Sequence, residues 1–170
     1  MKNSIGDVNA AFGPGDVVVY PGHGVGKVTS IETQRIGQHD VRLFVINFEH
    51  DRMTLRLPLH KAGTSGLRGI SSQRAMERAL ATFKVPASRR RAMWSRRAVE
   101  YTTKINSGDL TSIAEVVRDL HRPVGKPDQS YSERQFYEQA MTRLVHEVAA
   151  VDRIEVDDAS TRVKLLLEAA

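Results

Sequence analysis

Val41-Arg-Leu-Phe-Val-Ile-Asn-Phe48 runs through Glu49-His50-Asp51 into Met53-Thr-Leu-Arg-Leu-Pro58. The first segment is rich in β-branched and aromatic residues and reads as a strong strand. The second alternates, with Met53, Leu55 and Leu57 to one side and Thr54 and Arg56 to the other. Arg56 therefore points away from the apolar face, its charge free for a partner. Upstream, Val25 to Gln34 alternates loosely, with Val28 and Ile31 among polar residues. Asp16-Val-Val-Val-Tyr20 is a short β-rich run entered through Gly13-Pro14-Gly15 and left through the turn Pro21-Gly22-His23-Gly24. Several short strands joined by tight turns predict a small SH3-like or Tudor-like β-barrel.

From Ser71 the period becomes helical. Ala75, Met76, Ala79, Leu80 and Phe83 follow a Ser71-Ser72 cap, and Leu110, Ile113, Ala114, Val117 and Leu120 form a stripe capped by Asp109. Ser132-Glu-Arg-Gln135 has the pattern of a capping box, with Phe136, Ala140, Leu144 and Val148 behind it. Val163, Leu166 and Leu167 mark a last short helix, and Pro123 to Ser130 is a polar loop. The whole is an α+β chain: residues 12–70 form the β-domain and residues 71–170 an all-helical bundle of about five helices.

The 170 residues carry a net charge of +5, unevenly spread. Residues 71–126 hold 12 basic and 5 acidic side chains, a net +7, whereas residues 127–170 come to −4. The middle segment suits an anionic partner. There are no cysteines, which excludes disulfides and thiol chemistry and points to a reducing, cytoplasmic setting. No apolar run approaches the ~20 residues of a membrane span. Met1 to Asn9 lacks the pattern of a signal peptide and is expected to be a short loose tail.

Catalytic constellations are missing. Gly22-His-Gly-Val-Gly26-Lys27 is not a phosphate loop, because Pro21 stands where the first glycine belongs and Val28 where Ser or Thr belongs. Its glycines suit a tight turn instead. The six histidines, at 23, 39, 50, 60, 121 and 146, form no i, i+4 pair beside a carboxylate, so neither a metal nor another cofactor is expected. No serine sits in a nucleophile elbow. An enzyme is not expected.

The dense feature is Lys84 to Arg97, with Arg89, Arg90, Arg91, Arg96 and Arg97 around Trp94, the only tryptophan, and no acid among them. Clustered arginines suit a polyanion, since each pairs with phosphate bidentately. Two placements of Trp94 compete. A helix from Ala87 puts Trp94, Ala98, Tyr101 and Ile105 on one buried stripe, but sets Arg89 to Arg91 against the helix dipole. A helix starting near Trp94 or Ser95 avoids that conflict and leaves the indole projecting from a helix tip, able to stack on a base or wedge a base step.

Taken together, Gly15-Asp-Val-Val-Val-Tyr-Pro-Gly-His-Gly-Val-Gly26, the step Ile31-Glu-Thr33, Met53 to Pro58, Trp94-Ser-Arg-Arg97 and Ser107-Gly-Asp-Leu110 with Glu115-Val-Val-Arg-Asp-Leu120 resemble the CarD/CdnL family of bacterial RNA-polymerase-binding regulators. The N-terminal part also resembles the polymerase-interacting module of transcription-repair coupling factors. The resemblance implies a Tudor-like domain that binds the polymerase β subunit and a helical domain that contacts promoter DNA with low sequence specificity at the upstream edge of the melted region. There Trp94 would be a minor-groove wedge that stabilises the open complex, with Arg96 and Arg97 as its basic neighbours. Arg56 matches the family's polymerase-contacting arginine. Some members carry a second arginine directly after Ile-Glu-Thr. Here that place is Gln34, and Arg35, one position later, is the candidate replacement, with strand register deciding which face it meets. The protein would work in the cytoplasm, associated with the nucleoid through polymerase, and a monomer is the simplest expectation. Two other classes remain open: a KOW-like RNA-binding, ribosome-associated module, and a pure protein adaptor whose arginines meet an acidic protein.

Overall fold

The computed structural model describes residues 11–87 and 92–170 and divides into two compact units between Gly69 and Ile70. The tail expected at Met1 to Asn9 and the arginines at 89, 90 and 91 lie outside the described residues.

The first unit is an antiparallel sheet of β1 (Val17–Tyr20), β2 (Gly24–Ile36), β3 (His39–Phe48), β4 (Met53–Pro58) and the two-residue β5 (Arg68–Gly69), in the order β4-β3-β2-β1-β5. The short helix α1 (Ala62–Ser65) lies between β4 and β5. Among the described residues the sheet is open, not closed into a barrel: β4 and β5 are its two outer strands, and β5 pairs there only with β1.

Alternation explains the core. Phe44 stands opposite Leu57 and Ile46 opposite Leu55, so β3 and β4 send the same set inward. Val18, Val28, Phe48, Leu59, Ala62 and Leu67 complete this cluster. The loose alternation of β2 has a cause in the register, which shifts between Val28 and Ser30. Thr29 is the extra residue of a bulge, its hydroxyl donating to the Val45 carbonyl at 3.2 Å. Val28 and Ile31, three apart, therefore both reach the inward side, opposite Ile46 and Phe44.

Glycine is required at two places here. Gly24 closes the turn into β2 with φ 79°. Gly26 lies so close to the core that a Cβ there would come within 2.7 Å of Phe48 and 2.9 Å of Ile46.

The second unit contains α2 (Gln73–Ala81), α3 (Trp94–Asn106), α4 (Leu110–Leu120), α5 (Tyr131–Asp152) and α6 (Val156–Ala169). Ser72 caps α2, accepting from the Ala75 amide, and Asp109 caps α4, accepting from Ser112. One apolar cluster joins all five, with Met76, Leu80, Ile105, Val117, Leu120, Leu144, Val148 and Val163 at its centre. Glu147 is buried beside it and accepts a hydrogen bond from Ser71 Oγ at 3.2 Å. Arg143 donates to the Ile105 carbonyl at 2.8 Å, satisfying the end of α3 from α5.

Two sequence expectations need correction. The capping box of α5 is Ser130 with Glu133, not Ser132 with Gln135. Both tetrads fit the pattern, but only with Ser130 as the cap does the helix also take in Tyr131 and Ser132. In α6, a 14-residue helix, Val163 and Leu167 pack inward with Ala159 while Leu166 is exposed.

Candidate functional sites

Helix α3 begins at Trp94, with Met93 as a cap that offers no side-chain hydrogen bond. The chain cannot run helically from Val85, which precedes Pro86 and is extended at φ −83° and ψ 127°. Ala92 and Met93 are not helical, so α3 does not extend back to the basic run at 89–91, and the dipole conflict of one helix running from Ala87 does not arise.

At this position Trp94 combines the two placements that the sequence left open. Its stripe is real, since Tyr101 and Ile105 on the same side of α3 are buried. Yet Trp94 at the leading turn is 37% exposed. Its ring lies 6.3 Å from Tyr101 and 6.0 Å from Phe136 of α5, and those two are 5.8 Å apart, all in tilted pairs. One side of the indole rests on a small aromatic cluster while part of the ring meets solvent.

Arg96 and Arg97, adjacent in sequence, have different surroundings. Arg96 is exposed, and its side chain makes no hydrogen bond or ion pair with the described residues. Arg97 is drawn in. Its guanidinium carbon lies 5.4 Å from the Trp94 ring centre and 5.6 Å from that of Tyr101. Its Nη2 donates to Tyr101 Oη at 3.0 Å and stands 3.9 Å from Glu133 Oε2. The same carboxylate oxygen accepts from Arg122 Nη2 at 2.8 Å. Lower on α3, Lys104 bridges Glu115 at 2.8 Å and Glu100 at 3.4 Å. Burial pulls its ammonium down, but the bonds and charges of the two carboxylates outweigh that and hold it above the ordinary lysine range.

Arg56 projects from β4, opposite Val45, and is half-exposed as its alternation predicts. The expectation that its charge is free needs correction: Arg56 Nε donates to Glu32 Oε2 at 3.3 Å. Glu32 stands opposite Leu43, and Arg35 opposite Asp40, in one continuous register. Arg35 lies three positions after Glu32, an odd step, so the two meet opposite faces, and Gln34 keeps the face of Glu32. The structure does not bring Arg35 and Arg56 together.

Sequence reasoning missed Glu32 as the neighbour of Arg56, and Glu133, Arg122 and Phe136 as neighbours of Trp94. Glu133 had a local signal in the Ser130 tetrad. Phe136 had none that tied it to Trp94, because that contact is made between separate helices. No group of three or more His, Asp or Glu that could hold a metal occurs among the described residues. No described helix is long and apolar enough to cross a membrane.

Comparison with known proteins separates the chain in two. The CarD-like/TRCF RID domain matches residues 12–71, which include Glu32 and Arg56. The C-terminal domain of CarD matches residues 78–164, which include Trp94, Arg97 and Glu133. YdeB of Bacillus subtilis strain 168, provisionally described as a transcription factor, is 30% identical over 143 residues, covering 84% of this chain and 94% of its own. The solution structure of the 72-residue N-terminal domain of Myxococcus xanthus CarD is 28% identical and covers 34% of this chain and 77% of that one, with a TM-score of 0.30.

Proposed function

Since this chain belongs to the CarD family, and is thereby a CarD-type transcription regulator, we propose that it binds the RNA polymerase β subunit with residues 12–70 and promoter DNA with residues 71–170, and so stabilises the open complex. The observation that carries the reading is Trp94: the only tryptophan, at the leading turn of α3, part of its ring in solvent, with Arg96 two residues on, a side chain that has no partner among the described residues.

An indole so placed can enter a base step at the edge of a bubble, while Arg96 and the arginines at 89–91 meet phosphates and Arg97 lies against the indole. Tethering to polymerase raises the local concentration of this site, so weak contacts suffice. Stacking worth ~1–3 kcal/mol per base shifts open-complex occupancy about five- to over a hundredfold. No set of side chains for reading base edges is visible, so sequence preference is low. On the first unit, Arg56 sits on β4, an outer strand with no strand paired to its far edge among the described residues. Its bond to Glu32 is an exposed pair of the ~0–1 kcal/mol kind, readily exchanged for a carboxylate of the partner. Arg35, on the other face, is at most a separate contact. The protein acts as a non-catalytic, cofactor-free monomer in the cytoplasm, on the nucleoid through polymerase.

Capture from DNase-treated lysate, with RNA left intact, by the full chain tests this reading. The β subunit should be retained. Recovery of ribosomal RNA without polymerase would instead support the KOW-like alternative, and polymerase binding with no effect on promoter DNA would support the adaptor.

A further inference from the structure

We propose that Arg97 is a positioning residue for Trp94, clamped by Glu133, which Arg122 holds in turn, and that it serves DNA binding through the indole rather than through a phosphate of its own. The consequence for DNA rests on the reading of Trp94 given above; the clamp itself does not.

Helical spacing sets up the arrangement. Trp94 and Tyr101 lie at i−3 and i+4 of Arg97, so all three share one side of α3. The guanidinium sits within 6 Å of both ring centres, at 5.4 Å and 5.6 Å, inside the range of cation–π attraction. From the facing helix, Glu133 and Phe136 are also i and i+3 neighbours. Phe136 meets Trp94 and Tyr101, and Glu133 meets Arg97, so an aromatic layer and a charged layer are in register between the same two helices.

Glu133 is held in place in turn. Its Oε1 accepts from the Ser130 amide at 3.4 Å as part of the capping box, and its Oε2 serves both Arg122, at 2.8 Å, and Arg97, at 3.9 Å. The Glu133 side chain is only 16% exposed and that of Arg97 27%, so the pair is partly shielded from water. A guanidinium fixed by Tyr101 Oη and a shielded carboxylate is poorly placed to turn outward to a phosphate. It is well placed to press the indole against Tyr101 and Phe136 and hold one orientation. A ring already fixed has less freedom to lose when it enters DNA. Arg96, with no described partner, is the neighbour left for phosphate.

Because Trp94 is the only tryptophan, intrinsic fluorescence of the full chain reports its state without DNA or polymerase. Arg97→Lys keeps the charge but loses the planar fork, and Glu133→Gln keeps the capping-box pattern but loses the anion. Circular dichroism confirms that each variant is folded. The ratio of docked to released indole should fall about two- to fivefold in Arg97→Lys, read as stronger acrylamide quenching and a larger fast component of anisotropy decay. Glu133→Gln should move both readouts the same way, and Arg96→Ala should move neither. An unchanged open-complex lifetime in Trp94→Ala would sink the wedge reading and leave this fluorescence result standing. Quenching and anisotropy at wild-type values in both Arg97→Lys and Glu133→Gln would overturn the clamp.

Discussion

Arg56 of β4 reaches past the intervening strand β3 to place its Nε 3.3 Å from Glu32 Oε2 of β2. The pair ties three strands on the outward face and presents a cation already matched to a carboxylate. Arg56→Glu sets two acids against each other there and should reduce affinity for the polymerase β subunit by more than ~30-fold, as for a central contact residue, while the unit stays folded. Glu32→Gln, which removes only the internal partner, should cost ~0–1 kcal/mol of stability and leave affinity unchanged or raised. Titration of each full-length variant with polymerase, paired with thermal unfolding, checks both. Wild-type affinity in Arg56→Glu would remove Arg56 from the interface.

Gly26 gives a stability test unconnected to either partner. A methyl group at this position meets Phe48 and Ile46 at under 3 Å, inside a packed core. Gly26→Ala should destabilise by ~1–3 kcal/mol, as overpacking does, measured by urea unfolding. A neutral effect would mean that the strands separate there at little cost.

DNA binding by the free protein should be weak, tolerant of sequence and steeply salt-dependent, because arginine–phosphate contacts release counterions. Arg96→Ala should lower the slope of log K against log salt by ~1, and Arg97→Lys should change it little. Fluorescence anisotropy with labelled forked DNA across a salt series measures this. A flat response in the wild-type protein would favour the adaptor reading.

The folded state favours neutral His121. Burial lowers its pKa below 6.5, Glu168 opposes that, and Arg122 adds to the lowering. Below pH 6.5 the unfolded chain therefore binds a proton that the folded chain resists. The stability contributed by His121 is fully present above pH 6.5 and is lost as the pH falls through its depressed folded value. Denaturant unfolding from pH 7.5 to 5 should show this loss, and His121→Gln should flatten the part of the curve it causes.

Much of the architecture was legible because it is local. Met53, Leu55 and Leu57 alternate without interruption, and Ser72 and Asp109 are caps whose partners stand three residues on. Reading failed where one local rule had two solutions or where the decisive partner was far along the chain. Ser130 and Ser132 both open a capping-box tetrad, and only the helix start separates them. The Thr29 bulge breaks the period of β2, so the alternation reads only as loose although Val28 is buried in the core and Ile31 packs against it. Trp94 was ambiguous because its surroundings are split. Tyr101, seven residues on, gave a stripe, but Phe136 and Glu133 come from α5 and had no local mark tying them to it. Arg97 looked like one more surface cation for the same reason.

The central claim is that Trp94 holds promoter DNA open, and one variant tests it most directly. Trp94→Ala removes a ring that is 37% exposed and rests on Tyr101 and Phe136. The loss of stability should stay well below the ~3–5 kcal/mol of a fully buried aromatic truncation. The lifetime of the promoter open complex, measured with purified polymerase and competitor at a matched concentration of folded protein, should fall at least about fivefold. A folded Trp94→Ala protein that supports the wild-type lifetime would contradict the account.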